Sequence, residues 1–271
     1  MDVVFWGARG SVPCSSKQKI TYGTNTPCLE MVFSDHERIV FDAGTGLVSL
    51  GNHLEKLGFP NCDRIHLFFS HFHWDHVQGL PFFKAVYRKE TTLRLYGQPG
   101  IETVFSSQMT APFSPVPFEA LPAKIEVITL DAPIALGDVR VTPIPLNHPQ
   151  GCYAYAVEHR GRKILYATDT EPDGGPMDAS LLAGARGADV LVMDSNNAVE
   201  ELEQRRGWGH SSWVDCVNLA QKAGVKKLIL FHHDPFHDDE KVTQKQRLAQ
   251  ERFPDSFCAY EGMRVKVSRE P

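Results

Sequence analysis

A chain of 271 residues, 42% of them hydrophobic, can bury a sizeable core and need not be more than one domain. Its net charge of −5 excludes a general electrostatic attraction to nucleic acid, and it has no uninterrupted apolar run of the length that crosses a membrane. The six cysteines are scattered without a C-x-x-C pair, which reads as separately packed thiols rather than a disulfide framework or a zinc knuckle.

The first elements are short and β-rich. Val3–Trp6, Cys28–Phe33 and Arg38–Phe41 read as strands bounded by turn residues. The opening Met1-Asp2-Val3-Val4-Phe5 lacks the basic start and long apolar core of a signal peptide, so a cytoplasmic protein is expected. Asp42-Ala43-Gly44-Thr45-Gly46 closes the third strand, and a helix follows over Leu47–Leu57. The buried strand Ile65–Phe69 then delivers His71-Phe72-His73-Trp74-Asp75-His76. Three imidazoles and a carboxylate in six residues make poor core material. They make good ligands for zinc or a similar divalent ion.

A strand at Leu93–Tyr96 precedes an irregular stretch, Phe105–Lys124, with four prolines and three phenylalanines. Phe105–Phe118 reads as a pocket cover, a contact for a partner subunit or a surface excursion. Strands follow at Ile125–Leu130, Val139–Leu146, Tyr153–Glu158 and Lys163–Ala167. Helix Ser180–Ala185 leads to strand Val190–Asp194, and helix Ser211–Ala223 to strand Lys227–Phe231. Ser211 or Ser212 can cap the second of these helices, and Gly224 ends it. A charged helix over Asp238–Phe253 and a strand at Met263–Val267 complete the chain. This order predicts a single α/β domain over residues 1–271, a four-layer αββα sandwich with two packed sheets and helices outside. His148, Asp169 and His232 each stand just beyond the C-terminal end of a strand, as the His71–His76 run does. They are the candidates to complete the metal shell.

With Asp42, these residues resemble the metallo-β-lactamase superfamily. The likeness runs over nearly the whole chain and implies a dinuclear centre. His71, His73 and His148 would hold one metal; Asp75, His76 and His232 would hold the second; Asp169 would bridge. Asp42 would orient a ligand histidine. Zinc is the expected metal, with manganese and iron as the alternatives. Gly207-Trp208-Gly209-His210-Ser211-Ser212, ahead of a helix, resembles the phosphodiesterase branch that includes ribonuclease Z and class II cyclic-nucleotide phosphodiesterases. That resemblance places His210 near the scissile phosphate with Asp194 behind it. It also leaves Arg9, in Gly7-Ala8-Arg9-Gly10, either as a phosphate ligand or as part of a turn. Hydroxide held between the metals would attack phosphorus, Asp75 would orient it or accept its proton, and His210 would stabilise or protonate the leaving oxygen.

The chain lacks a Gly/Pro/Lys-rich insertion of the kind that clamps transfer RNA in ribonuclease Z. A small phosphodiester such as a cyclic nucleotide is therefore favoured over a long RNA. The competing readings are a ribonuclease Z-like RNA hydrolase, a thioester or lactone hydrolase, and a ligand sensor without turnover. Members of the branch are often dimers, so a homodimer is an expectation. His233, Asp234 and His237 line the pocket, assist the second metal or serve the helix that begins near Asp238.

Overall fold

The computed structural model describes residues 1–33 and 38–268. Two seven-stranded mixed sheets pack face to face with helices on both outer sides, as expected. The first sheet contains β1 (Asp2–Gly7), β2 (Cys28–Val32), β3 (Arg38–Phe41), β4 (Arg64–Phe68), β5 (Thr92–Gly97) and β6 (Lys124–Thr129). The C-terminal strand β14 (Arg264–Lys266) closes it beside β1. The second sheet runs from β7 (Ile134–Leu136) through β8 (Val139–Leu146), β9 (Cys152–His159), β10 (Arg162–Ala167), β11 (Val190–Asp194) and β12 (Lys227–Phe231) to β13 (Ser256–Cys258).

Strict alternation in the central strands builds three apolar layers from one stretch of chain. Phe68 of β4 points between the sheets, while Ile65 and Leu67 point out to the helices. In β10, Ile164 and Tyr166 face the inter-sheet core and Leu165 and Ala167 face outward; β12 repeats this with Ile229 and Phe231 against Leu228 and Leu230. The middle layer is aromatic: Phe41 stacks on Phe68 at 5.4 Å and Phe68 on Tyr96 at 4.4 Å between ring centroids. Each such side chain contributes roughly 1.5–3 kcal/mol by leaving water.

Outside the first sheet lie α1 (Gly46–Lys56), which buries Leu47, Leu50 and Leu54, and α3 (Ile101–Gln108). Outside the second lie α4 (Pro176–Ala185), α5 (Trp213–Ala223) and α6 (Asp239–Arg252). Ser212 caps α5 through the Asp215 amide, Gly224 ends it in the left-handed conformation, and Asp238 caps α6 through the Lys241 amide.

The differences from expectation are local. Helix α3 occupies the start of the stretch expected to be irregular, because the prolines begin only at Pro112 and leave Ile101–Gln108 free to pair its amides. Helix α4 starts at Pro176, where a missing N–H costs nothing, rather than at Ser180. The short edge strands β7 and β13 had no sequence counterpart. No helix among the described residues is long and apolar enough to cross a membrane.

Candidate metal centre

Strands β3, β4, β8, β10, β11 and β12 end on one edge of the sandwich, and the residues just beyond them converge there. Asp42 follows β3, Ser70 and His71 follow β4, His148 follows β8, Asp169 follows β10, and His232 follows β12. The turn required at these ends is tight. Asp42, Asp169 and His232 all adopt positive φ (60°, 51° and 56°), which for non-glycine residues is strained backbone held by its surroundings. The short helix α2 (Trp74–Val77) carries Asp75 and His76 back toward the same point.

The hydrogen-bond network commits one nitrogen of each of four imidazoles and leaves the other turned inward. Ser70 Oγ donates to Asp42 at 2.9 Å, so it accepts from His71 Nδ1 at 3.0 Å. His71 Nε2 is then buried with no hydrogen-bond partner among the described residues. His73 Nε2 donates to Gln150 Oε1 at 2.9 Å, His148 Nδ1 to the Gly209 carbonyl at 2.9 Å, and His76 Nδ1 to Asp42 Oδ2 at 2.9 Å.

The inward atoms sit closer together than bare lone pairs would choose. His73 Nδ1 and His148 Nε2 are 3.2 Å apart, and His76 Nε2 and His232 Nε2 are 3.3 Å apart. Asp75 Oδ2 lies 3.2 Å from His76 Nε2 and 3.1 Å from His232 Nε2. The two Asp169 oxygens lie 3.3 Å from the same two nitrogens. Its Oδ1 is also 3.9 Å from Nε2 of both His71 and His148. Ligands about 2.0–2.1 Å from a tetrahedral ion are about 3.3 Å from one another, so this donor set has the spacing of a shell around a cation. His71, His73 and His148 could hold one ion, and Asp75, His76 and His232 another, with Asp169 reaching both.

The electrostatics of four of these donors agree with that use, whereas at His76 the carboxylates Asp75, Asp169 and Asp42 outweigh burial and hold the imidazole well above its ordinary range until a cation takes that place. Burial, reinforced by neighbouring His76, keeps His71 well below the ordinary imidazole range, and burial does the same more mildly for His148. Both are thus neutral, the ligand form. Burial opposes the charge of Asp75 and Asp169, yet the surrounding imidazoles outweigh it and hold both carboxyls well below the usual range.

Asp42 is fully buried and accepts from His76 Nδ1, from Ser70 N and Oγ, and from Tyr166 Oη at 2.6 Å. Asp42→Asn turns one acceptor into a donor facing these groups. It is expected to lower metal affinity about 10–100-fold by equilibrium dialysis, with the sandwich intact by circular dichroism.

His210 stands beside this centre at the start of the turn into α5. Its Nδ1 donates to Asp194 Oδ2 at 3.0 Å and lies 3.8 Å from Asp169 Oδ1. Burial disfavours its charge, but the Asp194 carboxylate outweighs burial and pushes the imidazole up to about 9. Cations at the centre would lower that value.

The glycine-rich loop after β1 abuts the centre without offering it a cation. Ser11 N donates to Asp75 Oδ2 at 2.7 Å, and a Cβ on Gly10 would meet the His232 ring at 2.4 Å. Arg9 is fully buried instead of being a phosphate ligand. Its guanidinium donates to the carbonyls of Gly23, Asp234 and His237 and so fastens two loops. His233 bonds Lys245 and the Ala259 carbonyl, Asp234 pairs with Arg205, and His237 pairs with Glu201. These three residues serve the scaffold around Arg9 and α6. Phe113 is 80% exposed and Phe105 is core, so the stretch between them is no uniform cover.

A family model described as the beta-lactamase superfamily domain matches residues 37–233. The chain belongs to the beta-lactamase superfamily. Within it, the chain is 26% identical over 262 positions to a ribonuclease Z of Brevibacillus brevis, covering 75% of this chain and 80% of the relative. The metallo-beta-lactamase fold protein YhfI of Bacillus subtilis superposes with a TM-score of 0.74 at 21% identity, covering 97% of this chain and 98% of that one. A diphosphatase of the PhnP family superposes with a TM-score of 0.72 at 18% identity, covering 98% of each. The chain is accordingly a metal-dependent hydrolase of the superfamily.

The structure gathers the residues expected to hold metal, His71, His73, Asp75, His76, His148, Asp169 and His232, together with Asp42, Asp194 and His210; it does not bring Arg9, His233, Asp234 or His237 to them as donors. Ser70, Gln150 and Tyr166 had not been singled out. Ser70 directly precedes the histidine run, which is a signal of a kind. Gln150 and Tyr166 stand close to His148 and Asp169 in sequence, but the partners they bond, His73 and Asp42, are brought to them only by folding.

Proposed function

We propose that this protein is a dinuclear metal-dependent phosphodiesterase acting on a small phosphodiester such as a cyclic nucleotide. The observation that carries the reading is the His210–Asp194 pair set beside the donor cluster, with His210 Nε2 uncommitted among the described residues. His71, His73 and His148 would hold one ion, Asp75, His76 and His232 the second, and Asp169 would bridge them. Zinc suits this nitrogen and carboxylate set, with manganese and iron as alternatives. Two such ions supply a lowered water pKa near neutrality and offset charge on phosphoryl oxygens.

The chain's own residues do the rest. Asp75, fixed by the Ser11 amide and kept ionised, orients the attacking water and accepts its proton. His210, held at Nδ1 by Asp194, carries its acidic proton on Nε2 and delivers it to the leaving oxygen. Carbonyl hydrolysis needs no such second acid with the same urgency, which favours phosphoryl esters over lactones and thioesters.

Support for a small substrate comes from what the relative has and this chain lacks. The alignment to the Brevibacillus ribonuclease Z runs over 262 positions but spans 75% of 271 residues, so roughly 60 positions (262 less about 203) face gaps in this chain. Together with a net charge of −5, this supports a small substrate over a long RNA. RNA hydrolysis is the second reading, favoured by the name of that same relative.

A substrate panel separates them. Bis(p-nitrophenyl) phosphate and cyclic nucleotides should be hydrolysed, with two metals per chain by elemental analysis and activity lost to a chelator. Precursor transfer RNA, lactones and thioesters should be turned over at least 100-fold less efficiently. Efficient thioester or lactone turnover without phosphodiester turnover would sink the proposal.

A further inference from the structure

We propose that Glu171 is a positioning residue that sets both the His148 ring and His210 by clamping the loop Gly207-Trp208-Gly209. The inference rests on the dinuclear reading above and assigns a role that neither the motifs nor the comparisons suggest.

Glu171 stands two residues beyond Asp169. Its carboxylate accepts from Gly207 N at 2.9 and 2.8 Å and from Gly209 N at 2.9 Å. Gly207 and Gly209 both have positive φ, 84° and 85°, which turns their N–H groups to one side. These two amides stand on either side of Trp208, whose own N–H goes to the Arg205 carbonyl, and both point at the Glu171 carboxylate between them. The loop's other backbone bonds among the described residues are Trp208 N to the Arg205 carbonyl at 3.1 Å and His148 Nδ1 to the Gly209 carbonyl. Gly207 is exposed, and Trp208 is 59% exposed with Arg205 over its ring.

The clamped loop touches the centre on two sides. The Gly209 carbonyl accepts from His148 Nδ1 at 2.9 Å and so directs His148 Nε2 inward. The fit leaves no slack, because a Cβ on Gly209 would lie 2.1 Å from that Nδ1. The next residue in the chain is His210. The anchor end is equally tied to the centre. Glu171 N donates to the Asn147 carbonyl and Asn147 Nδ2 donates to the Glu171 carbonyl, both at 2.9 Å, and Asn147 immediately precedes His148. One carboxylate therefore fixes the spacing between a metal donor, the bridging aspartate's strand end and the acid that faces the leaving group.

The test uses full-length protein loaded with cobalt in place of the native metal. In Glu171→Ala, the chelator concentration that removes one of the two ions should fall about 10–100-fold, as for loss of other partners that orient ligands. The visible absorption of the cobalt form should change in intensity. With bis(p-nitrophenyl) phosphate, kcat should fall by about 10–100-fold with KM within about twofold. Glu171→Gln, equal in size but with an amide facing the glycine N–H groups, should fall between wild type and alanine. It also stands in if the alanine variant does not fold. Trp208→Ala leaves the carboxylate's partners in place and should keep wild-type chelator resistance and cobalt spectrum. A lower melting temperature with an unchanged spectrum and metal retention in both Glu171 variants would reduce Glu171 to a stability residue and overturn the proposal. A wild-type protein that binds no cobalt would instead overturn the dinuclear reading.

Discussion

Asp169→Asn is expected to leave at most one tightly held metal per chain and to cut phosphodiester turnover on the order of 10³-fold, about 4 kcal/mol at the transition state. Asp169 reaches donors of both groups: 3.3 Å to His76 and His232, and 3.9 Å to His71 and His148. No other carboxylate among the described residues does so. The amide is isosteric, so the backbone strain at φ 51° and the packing around it persist. What changes is charge and donor direction. One carboxylate oxygen becomes an NH₂ that can donate to the lone pairs of His76 or His232, competing for the electrons a metal would use. His76 also loses one of the carboxylates that hold its imidazole above the ordinary range. Elemental analysis after dialysis, with circular dichroism to confirm the sandwich, checks this. Two metals retained together with wild-type turnover would remove Asp169 from the centre.

How much of this was legible before folding depended on whether a signal was local. His71, His73, Asp75 and His76 declared themselves because an apolar strand cannot end in imidazoles and a carboxylate without a use for them. His148, Asp169 and His232 were legible by their repeated place after a strand, since parallel neighbours in a twisted sheet bring those ends together. Gln150 was not, because its partner His73 is distant in sequence and a lone glutamine before a glycine reads as a turn. Glu171 was hidden for the same reason: its acceptors meet amides of glycines 36 and 38 residues on. Arg9 gave an ambiguous signal. A cation in a glycine-rich loop near a predicted phosphate site reads readily as a ligand, and only burial shows that the loop closes over it. Edge strand β13 is only three residues long, too short for an alternating pattern to reveal it.

His210→Ala carries the second large effect, and its pattern across substrates is the informative part. The side chain is 12% exposed and its Nδ1 is spent on Asp194, so its removal should leave metal content unchanged. Turnover should fall about 10²–10⁴-fold for an ester whose leaving alkoxide must be protonated. For a p-nitrophenyl ester the leaving oxygen departs readily as the anion, and the loss should be smaller by at least tenfold. Charge stabilisation alone predicts a different pattern, because an imidazolium placed to offset negative charge on the phosphoryl oxygens would be missed equally by both esters. Asp194→Asn separates the roles further. The amide cannot sustain the imidazolium, so the His210 imidazole should lose the upward push that Asp194 gives it, and the alkyl ester should again suffer more than the aryl one. A His210→Ala protein with full activity on both esters would exclude His210 from the chemistry. The nitrogen donors would then be left as a hydrolytic centre with no acid of its own, and the case for a phosphodiester over a carbonyl substrate would fall with it.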